Sequence, residues 1–401
     1  MTRTARTALR ARPFAALLAL ALAGPAAGEV QGVTDSEVLF GQVAPFSGAA
    51  RELGRQMKVG LDVAFSVAND AGGVAGRKLR LVAFDDGYEP ARTLPAMKEL
   101  AEKRKVFGFV GNVGTPTTAA ALPYALDRGM LFFGAFTGTK LLRNDPPDRF
   151  VFNYRASYQE ETAAVVKYLV EVRRFRPAQI AVFAQEDAFG DDGFSGVAKA
   201  MRRYRQDPGR ILRVGYKRNT IDVAEAVKTI GKNTAHLKAV VMVGTYRACA
   251  KFIEKVKESG AQLVFTNVSF VGSNELAEEL VPLGARFADG VVVTQVVPLP
   301  TAGATAILRY REALAKYTPG ERPGFISLEG YLAGTLLVEG LKRAGKNLTT
   351  DTLVDALEAV KNLDLGVGVP LTFGPSEHQA SHKVWGTVLD GSGVYKSLDL
   401  E

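Results

Sequence analysis

The sequence predicts an α/β protein of two doubly wound, parallel-sheet lobes, on three observations. Short β-rich runs alternate with amphipathic stretches of helical length from about residue 37 to 300. The alternation pauses at an extended stretch, 150–154, and then restarts. After Pro298 and Pro300, further helices lead to a tail of short strand-like runs separated by Gly and Ser. Strand–helix alternation implies a parallel sheet covered by helices on both faces. A chain of 401 residues also exceeds one ordinary core.

In order, 37–43 reads as a strand and 52–69 as a helix, with Leu53, Met57, Leu61, Ala64 and Ala68 on one face. Ala71-Gly72-Gly73 stops that helix and Gly76 continues the turn. Strand 78–84, helix 90–104, strand 106–110, helix 116–127 and strand 130–134 complete the first half. The second half reads helix 158–174, strand 179–184, helix 189–204, strand 211–216, helix 223–231, strand 237–243, helix 246–259 and strand 262–266. An apolar strand over 290–297 ends at the prolines, and helices over 304–317, 326–344 and 350–360 follow. No short-period repeat and no low-complexity segment interrupts the pattern.

The first residues indicate export. Arg3, Arg6, Arg10 and Arg12 precede an apolar run over 14–23 and the small residues 24–28, the three parts of a secretory signal peptide. The apolar run is shorter than the roughly 20 residues that span a bilayer. Cleavage near Gly28 would leave a soluble periplasmic protein, and no cysteine near the cut offers a lipid anchor. The four leader arginines supply half of the formal charge of +8, so the mature chain carries +4. No basic block with interleaved aromatics points to nucleic acid. The single cysteine, Cys249, excludes an intrachain disulfide, which large lobes do not need.

One loop carries binding chemistry on its own terms. Strand 106–110 ends in Gly111-Asn112-Val113-Gly114, and Thr115-Pro116 opens a helix, with Thr115 read as its N-cap and proline at the first helical position. Free amide hydrogens and partial positive charge at a helix N-terminus attract an anion such as a carboxylate. In open α/β sheets the crevice at the C-terminal ends of the strands is the usual ligand site. Ordinary helix capping accounts for the same residues without a ligand.

The ordered stretches 41–48 (GQVAPFSG), 69–76 (NDAGGVAG), Asp85-Asp86, 110–117 (VGNVGTPT), 133–137 (FGAFT) and 184–190 (AQEDAFG) resemble the leucine/isoleucine/valine-binding family of periplasmic solute-binding proteins that serve ABC transporters. The resemblance runs through nearly the whole mature chain. It implies a type I periplasmic-binding fold with a three-strand hinge, crossing near 150–156, 293–298 and 363–370. The lobes would then be 29–153 plus 298–366 and 154–297 plus 367–401, after a signal peptide over 1–28.

The same resemblance implies a site. The loops at Thr115 and at 135–139 would grip a ligand carboxylate through backbone groups and hydroxyls, with Thr115, Ala135 and Thr137 at the matching positions. Phe189 and Tyr246 would close from the second lobe, and Phe46 and Phe136 would line the pocket. Amino-acid-binding members place an acid of the second lobe on the ligand's ammonium, but the corresponding stretch here, 267–272 (NVSFVG), has none. A desolvated ammonium without a partner is costly, so amides and organic acids compete with amino acids, unless Glu186, Asp187 or Glu329 supplies the carboxylate. The family's disulfide positions are occupied by Tyr88 and Gly114.

Nothing in the chain reads as a catalytic constellation. His378 and His382 have i,i+4 spacing beside Glu377, but Gly374-Pro375-Ser376 marks a surface turn rather than a metal-binding helix. Cys249 lacks a histidine partner pattern and reads as a buried thiol. Phosphate-loop and dinucleotide fingerprints are missing. No cofactor and no metal is expected, and the chain is expected to work as a monomer. The function read from the sequence is capture of a small carboxylate-bearing ligand by hinge closure, for delivery to a membrane permease. The alternatives are a sensor subunit docking on a membrane receptor and, less consistent with these residues, an extracytoplasmic hydrolase.

Overall fold

The computed structural model describes residues 1–2 and 30–401, so the leader lies outside the described residues. Twelve strands form two sheets among these residues. The first sheet holds β1 (Glu37–Ala44), β2 (Lys78–Asp85), β3 (Gly108–Val110), β4 (Leu131–Phe133) and β5 (Val151–Phe152), in the spatial order β2-β1-β3-β4-β5 and all parallel. The second holds β6 (Ile180–Gln185), β7 (Arg213–Tyr216), β8 (Ala239–Val243), β9 (Val264–Asn267), β10 (Val292–Gln295), β11 (Trp385–Leu389) and β12 (Tyr395–Leu398), in the order β12-β11-β10-β9-β8-β6-β7. Its first five strands in sequence are parallel, and β11 and β12 add an antiparallel edge that the sequence pattern did not specify.

Both sheets follow the doubly wound rule. The strands are near-continuous apolar runs because helices cover both faces, and β6 (IAVFAQ) and β8 (AVVMV) are buried at every position. The helices over 51–70 and 325–344 are the most closely packed pair. A Cβ added at Gly60 would lie 2.0 Å from the Ser327 carbonyl oxygen, and one at Gly330 would lie 2.5 Å from that of Met57. Only glycine lets the two backbones approach so closely.

The chain leaves the first sheet after β5 and enters the second through the helix Tyr158–Lys167. It returns after β10, when the helix Phe325–Ala344 packs on Arg51–Asp70. Leu363 pairs with Leu371, closing the stretch 363–371 on itself. Phe373 then packs edge-on against Phe152 (5.1 Å) and Phe133 (6.5 Å), so 371–378 still belongs with the first sheet. The strand-like passage is 379–381, where Ala380 and Ser381 donate to the carbonyls of Asn153 and Tyr154 (2.8 and 3.1 Å). The helix Ser273–Leu280 falls between the expected strands 262–266 and 290–297, where the sequence pattern specified no element.

Candidate functional site

Each sheet has one point where the winding direction reverses. In the first it lies between β1 and β3, and in the second between β6 and β8. A crevice opens outside the C-terminal ends of the strands at such points. The loops after β1, β3 and β4 come from one side and those after β6, β8 and β9 from the other, and here they meet face to face.

The loop after β3 is shaped by glycine. Gly111 (φ +66°) and Gly114 (φ +102°) adopt backbone conformations that side chains disfavour. Gly114, not Thr115, is the N-cap, and Thr115 is the first helical residue. The first helical hydrogen bond runs from the Thr118 amide to the Gly114 carbonyl (3.0 Å), so the amides of Thr115 and Thr117 stand ahead of the helical ladder. Freed from capping, the Thr115 hydroxyl lies 2.7 Å from that of Thr137, which is 3.3 Å from the Tyr158 hydroxyl. Both threonines are fully buried. The loops after β3 and β4 are tied together, since the Phe136 amide donates to Asn112 and the Gly114 amide to Phe136 (2.7 and 3.1 Å). Ala135 turns its methyl into the core with Val43, Met97 and Phe132, so only its backbone is available to the site.

Phe270, after β9, occupies the centre of the crevice. Its ring stacks on Phe136 (5.1 Å, 28°) and meets Phe189 edge-on (4.8 Å). Tyr88 at 6.2 Å and Tyr158 at 6.4 Å complete a five-ring box drawn from both sides. Phe189 is held there by Asp187, which caps the helix Ala188–Arg202 through the Phe189 amide (3.0 Å). The stretch 267–272 carries no charge, and what it brings to the crevice is a ring. Periodicity carries no signal for a ring in a short 3-10 turn.

Arg155 backs this box. Its guanidinium carbon is 5.1 Å from the centre of the Phe136 ring, within cation–π range. It pairs with Glu161 (3.0 Å), bonds Ser269 and lies 3.5 Å from Glu329. Glu161 in turn accepts from the Ser269 amide (2.7 Å) and the Thr294 hydroxyl (2.6 Å). Arg155 is 1% exposed, and among the described residues its Nε and Nη1 have no hydrogen-bond partner. Of the three candidate acids, Glu186 is exposed, and Asp187 is committed to Phe189, Gln185 and Arg218. Glu329 alone is buried near the box, where burial pushes its carboxyl up to about 7 against the pull of Arg155. The stretch 267–272 thus meets a buried guanidinium and a buried carboxylate together, Arg155 and Glu161, both through Ser269.

The remaining predicted residues lie around the rim. The Tyr246 hydroxyl reaches the backbone at Glu52 on the opposite side, and burial pushes it up to about 12. Phe46 is half-buried, and its amide donates to Asp85 (2.8 Å). Asp85 and Asp86 diverge: the first binds the loop at Phe46, Ser47 and Gly87, the second the Tyr88 amide and the Thr93 hydroxyl. Tyr88 and Gly114 are in contact, since a Cβ on Gly114 would lie 2.3 Å from the tyrosine ring. Outside the box, Arg218 and Asn219 hold Glu89 across the crevice (2.8 and 2.6 Å).

The reactive side chains outside the box are tied into structure. Burial pushes the Cys249 thiol up to about 12. His382 lies on the surface against Glu160, but His378 is buried and stacked on Phe152 (3.9 Å), contrary to the surface turn expected for both. Among the described residues there is no group of three or more side chains suited to hold a metal.

Two doubly wound sheets with facing switch points define a two-lobed α/β protein of the type I periplasmic-binding fold. Residues 37–393 match the family described as periplasmic binding protein, and the chain belongs to that family. It resembles a Leu/Ile/Val-binding protein homolog 3 of Brucella melitensis, with 25% identity over 84% of this chain and 87% of that one. A crystal structure of a possible leucine/isoleucine/valine-binding protein from Rhodopirellula baltica is 40% identical, with a TM-score of 0.86 over 94% of this chain and 99% of the other. A branched-chain amino acid ABC transporter protein from Thermus thermophilus with bound valine shares the fold at 19% identity, with a TM-score of 0.77 over 92% and 96% of the two chains.

Proposed function

We propose that this protein is the exported solute-binding component of an ABC importer, and that it grips a small carboxylate-bearing ligand between its lobes by hinge closure. The observation that carries the reading is the buried pair of Thr115 and Thr137 hydroxyls at a helix N-terminus, in loops whose Phe136 stacks on the Phe270 ring of the opposite side. Hydroxyls and unused first-turn amides suit a carboxylate. The aromatic rings suit the rest of an organic ligand, with Phe270 swinging aside to admit it. Ligand would shift the open–closed balance because it contacts both lobes only when they are closed. The lobes are taken as 29–153 plus 298–380 and 154–297 plus 381–401, after removal of a signal peptide over 1–28. The protein acts as a monomer that docks on a permease.

Among amino acids, amides and organic acids, the Arg155 guanidinium favours ligands without an ammonium, which would meet a like charge in a dry site. Calorimetric titration of paired ligands tests this: phenylalanine against 3-phenylpropionate, and leucine against 4-methylpentanoate. The des-amino member should bind at least as tightly. Thr115→Ala should weaken whichever ligand binds by about 1.5–3 kcal/mol, the worth of a hydrogen bond to a charged group, while Thr115→Ser binds nearly as well as wild type. Equal affinity in wild type and Thr115→Ala would remove the anchor. Small-angle scattering that shows no fall in radius of gyration at saturation would remove hinge closure.

A further inference from the structure

A second meeting place of the two halves lies apart from the aromatic box. It is a groove of about 390 Å³. One wall is the N-terminal part of the helix Arg51–Asp70, with Glu52 and Gln56, together with Ile326; the other is the helix Ser273–Leu280, with Glu275 and Ala277. The walls are fixed across the gap. The Phe325 amide donates to Asn274 (3.1 Å), and the Phe325 ring meets Tyr395 edge-on (5.5 Å) while the Tyr395 hydroxyl donates to the Ser273 carbonyl (2.8 Å).

Two acceptors sealed in the walls of this groove, reached from it when their side chains turn outward, have no donor among the described residues: Glu275 Oε2 and Gln56 Oε1. Glu275 is 6% exposed, and a buried carboxylate oxygen without a partner is costly. The other charges are spoken for or lie at the rim. Arg55 is shared between Glu52 and Glu321 (both 2.6 Å), and Glu278 and Arg322 are exposed. Ile326, Val281 and Ala277 supply an apolar strip beside the acceptors.

We infer that this groove is a binding site for a primary alkylammonium ion, whose N–H groups satisfy Glu275 and Gln56 while its alkyl chain lies along Ile326, Val281 and Ala277. Unpaired acceptors call for a ligand that donates, which separates a primary ammonium from a quaternary one. Because the groove spans both halves, its occupant favours the closed arrangement. The inference does not rest on the carboxylate site.

Burial, with Glu278 and Glu52 nearby, pushes the Glu275 carboxyl up to about 7. The cation needs the ionised form, so its affinity falls as pH drops through that value. Between pH 8 and pH 6 the ionised fraction, and with it the affinity, falls about tenfold.

The test is calorimetry on the mature protein with n-butylammonium, tetramethylammonium and 1-butanol, at pH 8 and pH 6. Butylammonium should saturate at pH 8 and weaken about tenfold at pH 6. It should lose at least about tenfold in Glu275→Gln, the loss of one charge-assisted bond, and the other two probes should bind no better than that variant does. Glu275→Gln should fold at least as stably as wild type at pH 8, because it removes a buried unpaired charge. No saturation by butylammonium in wild type, equal affinity in Glu275→Gln, or equal binding of butanol would each overturn the inference. Carboxylate binding should be unchanged in Glu275→Gln, so failure here and failure at Thr115 are separate results.

Discussion

The aromatic box and the Glu275 groove are both places where the halves meet, yet they are built on opposite principles. The box is dry, filled by Phe270 and backed by a cation whose Nε and Nη1 have no hydrogen bond among the described residues, Nη1 lying 3.5 Å from Glu329. The groove is open, polar and backed by an acid with an unused oxygen. The same strand–loop–helix segment, running from β9 through Phe270 to Glu275, supplies the central residue of each. One segment thus sets the shape of one site and the charge of the other. On the two proposals above, specificity would be concentrated in a stretch of six residues, 270–275.

The sharpest way to break that contrast is at the ion pair behind the box. Glu161→Ala leaves the Arg155 guanidinium buried beside a half-committed Glu329, and should cost about 3–5 kcal/mol in denaturant unfolding. A loss below about 1 kcal/mol would mean that Arg155 escapes to water and that the box has no fixed cation. Phe270→Ala follows, at about 3 kcal/mol, the low end for a buried ring because four neighbouring rings can collapse inward. If this variant instead binds aromatic carboxylates more tightly than wild type while losing stability, Phe270 is the ring that a ligand displaces.

Next is the pH response. The folded-state value of Glu329 is raised to about 7, well above an ordinary glutamate. Its protonated form is favoured by folding, so the stability it contributes is complete below about pH 4 and is lost as pH rises through 7. Asp86, raised to about 6 by burial, acts in the same direction. Glu329→Gln should therefore flatten the fall in stability between pH 5 and 7.5, by about 1–3 kcal/mol at the upper end. An unchanged slope would assign the titration elsewhere. The smallest effect belongs to the half-buried clasp at the rim: Arg218→Ala should change stability by about 1 kcal/mol, and less in high salt. A larger effect would show that polar contacts, not the box, hold the halves together.

Much of this was legible in the sequence, for a physical reason that also marks where legibility ends. Buried parallel strands must be apolar and amphipathic helices must repeat, so alternation located both sheets and the loops that bear Thr115, Thr137, Phe189 and Tyr246. Gly111 and Gly114 announced a tight turn, although not that the cap would be Gly114 and the Thr115 hydroxyl free for Thr137. Arg155, Glu161 and Glu329 are far apart in the chain, and no local pattern says that they converge. Phe270 is illegible for a different reason: it sits in a three-residue 3-10 turn, too short for any periodicity to show which way its ring faces. The tail is less legible because Gly366 and Gly368 mark a turn whichever sheet the following residues join, and the packing of Phe373 on Phe152 is a contact that no local pattern encodes.

The glycine contacts between the helices over 51–70 and 325–344 have a mechanical consequence. Sliding either helix by one residue would drive a side chain into the other's backbone, at the places where Gly60 and Gly330 now sit. The pair is a locked plate and cannot act as a slip plane. Glu52, Gln56 and Ile326 ride on that plate, so one jaw of the groove keeps its shape through any motion of the molecule. A cation held by Gln56 and Glu275 would then read the angle between the halves, with the plate as its fixed reference.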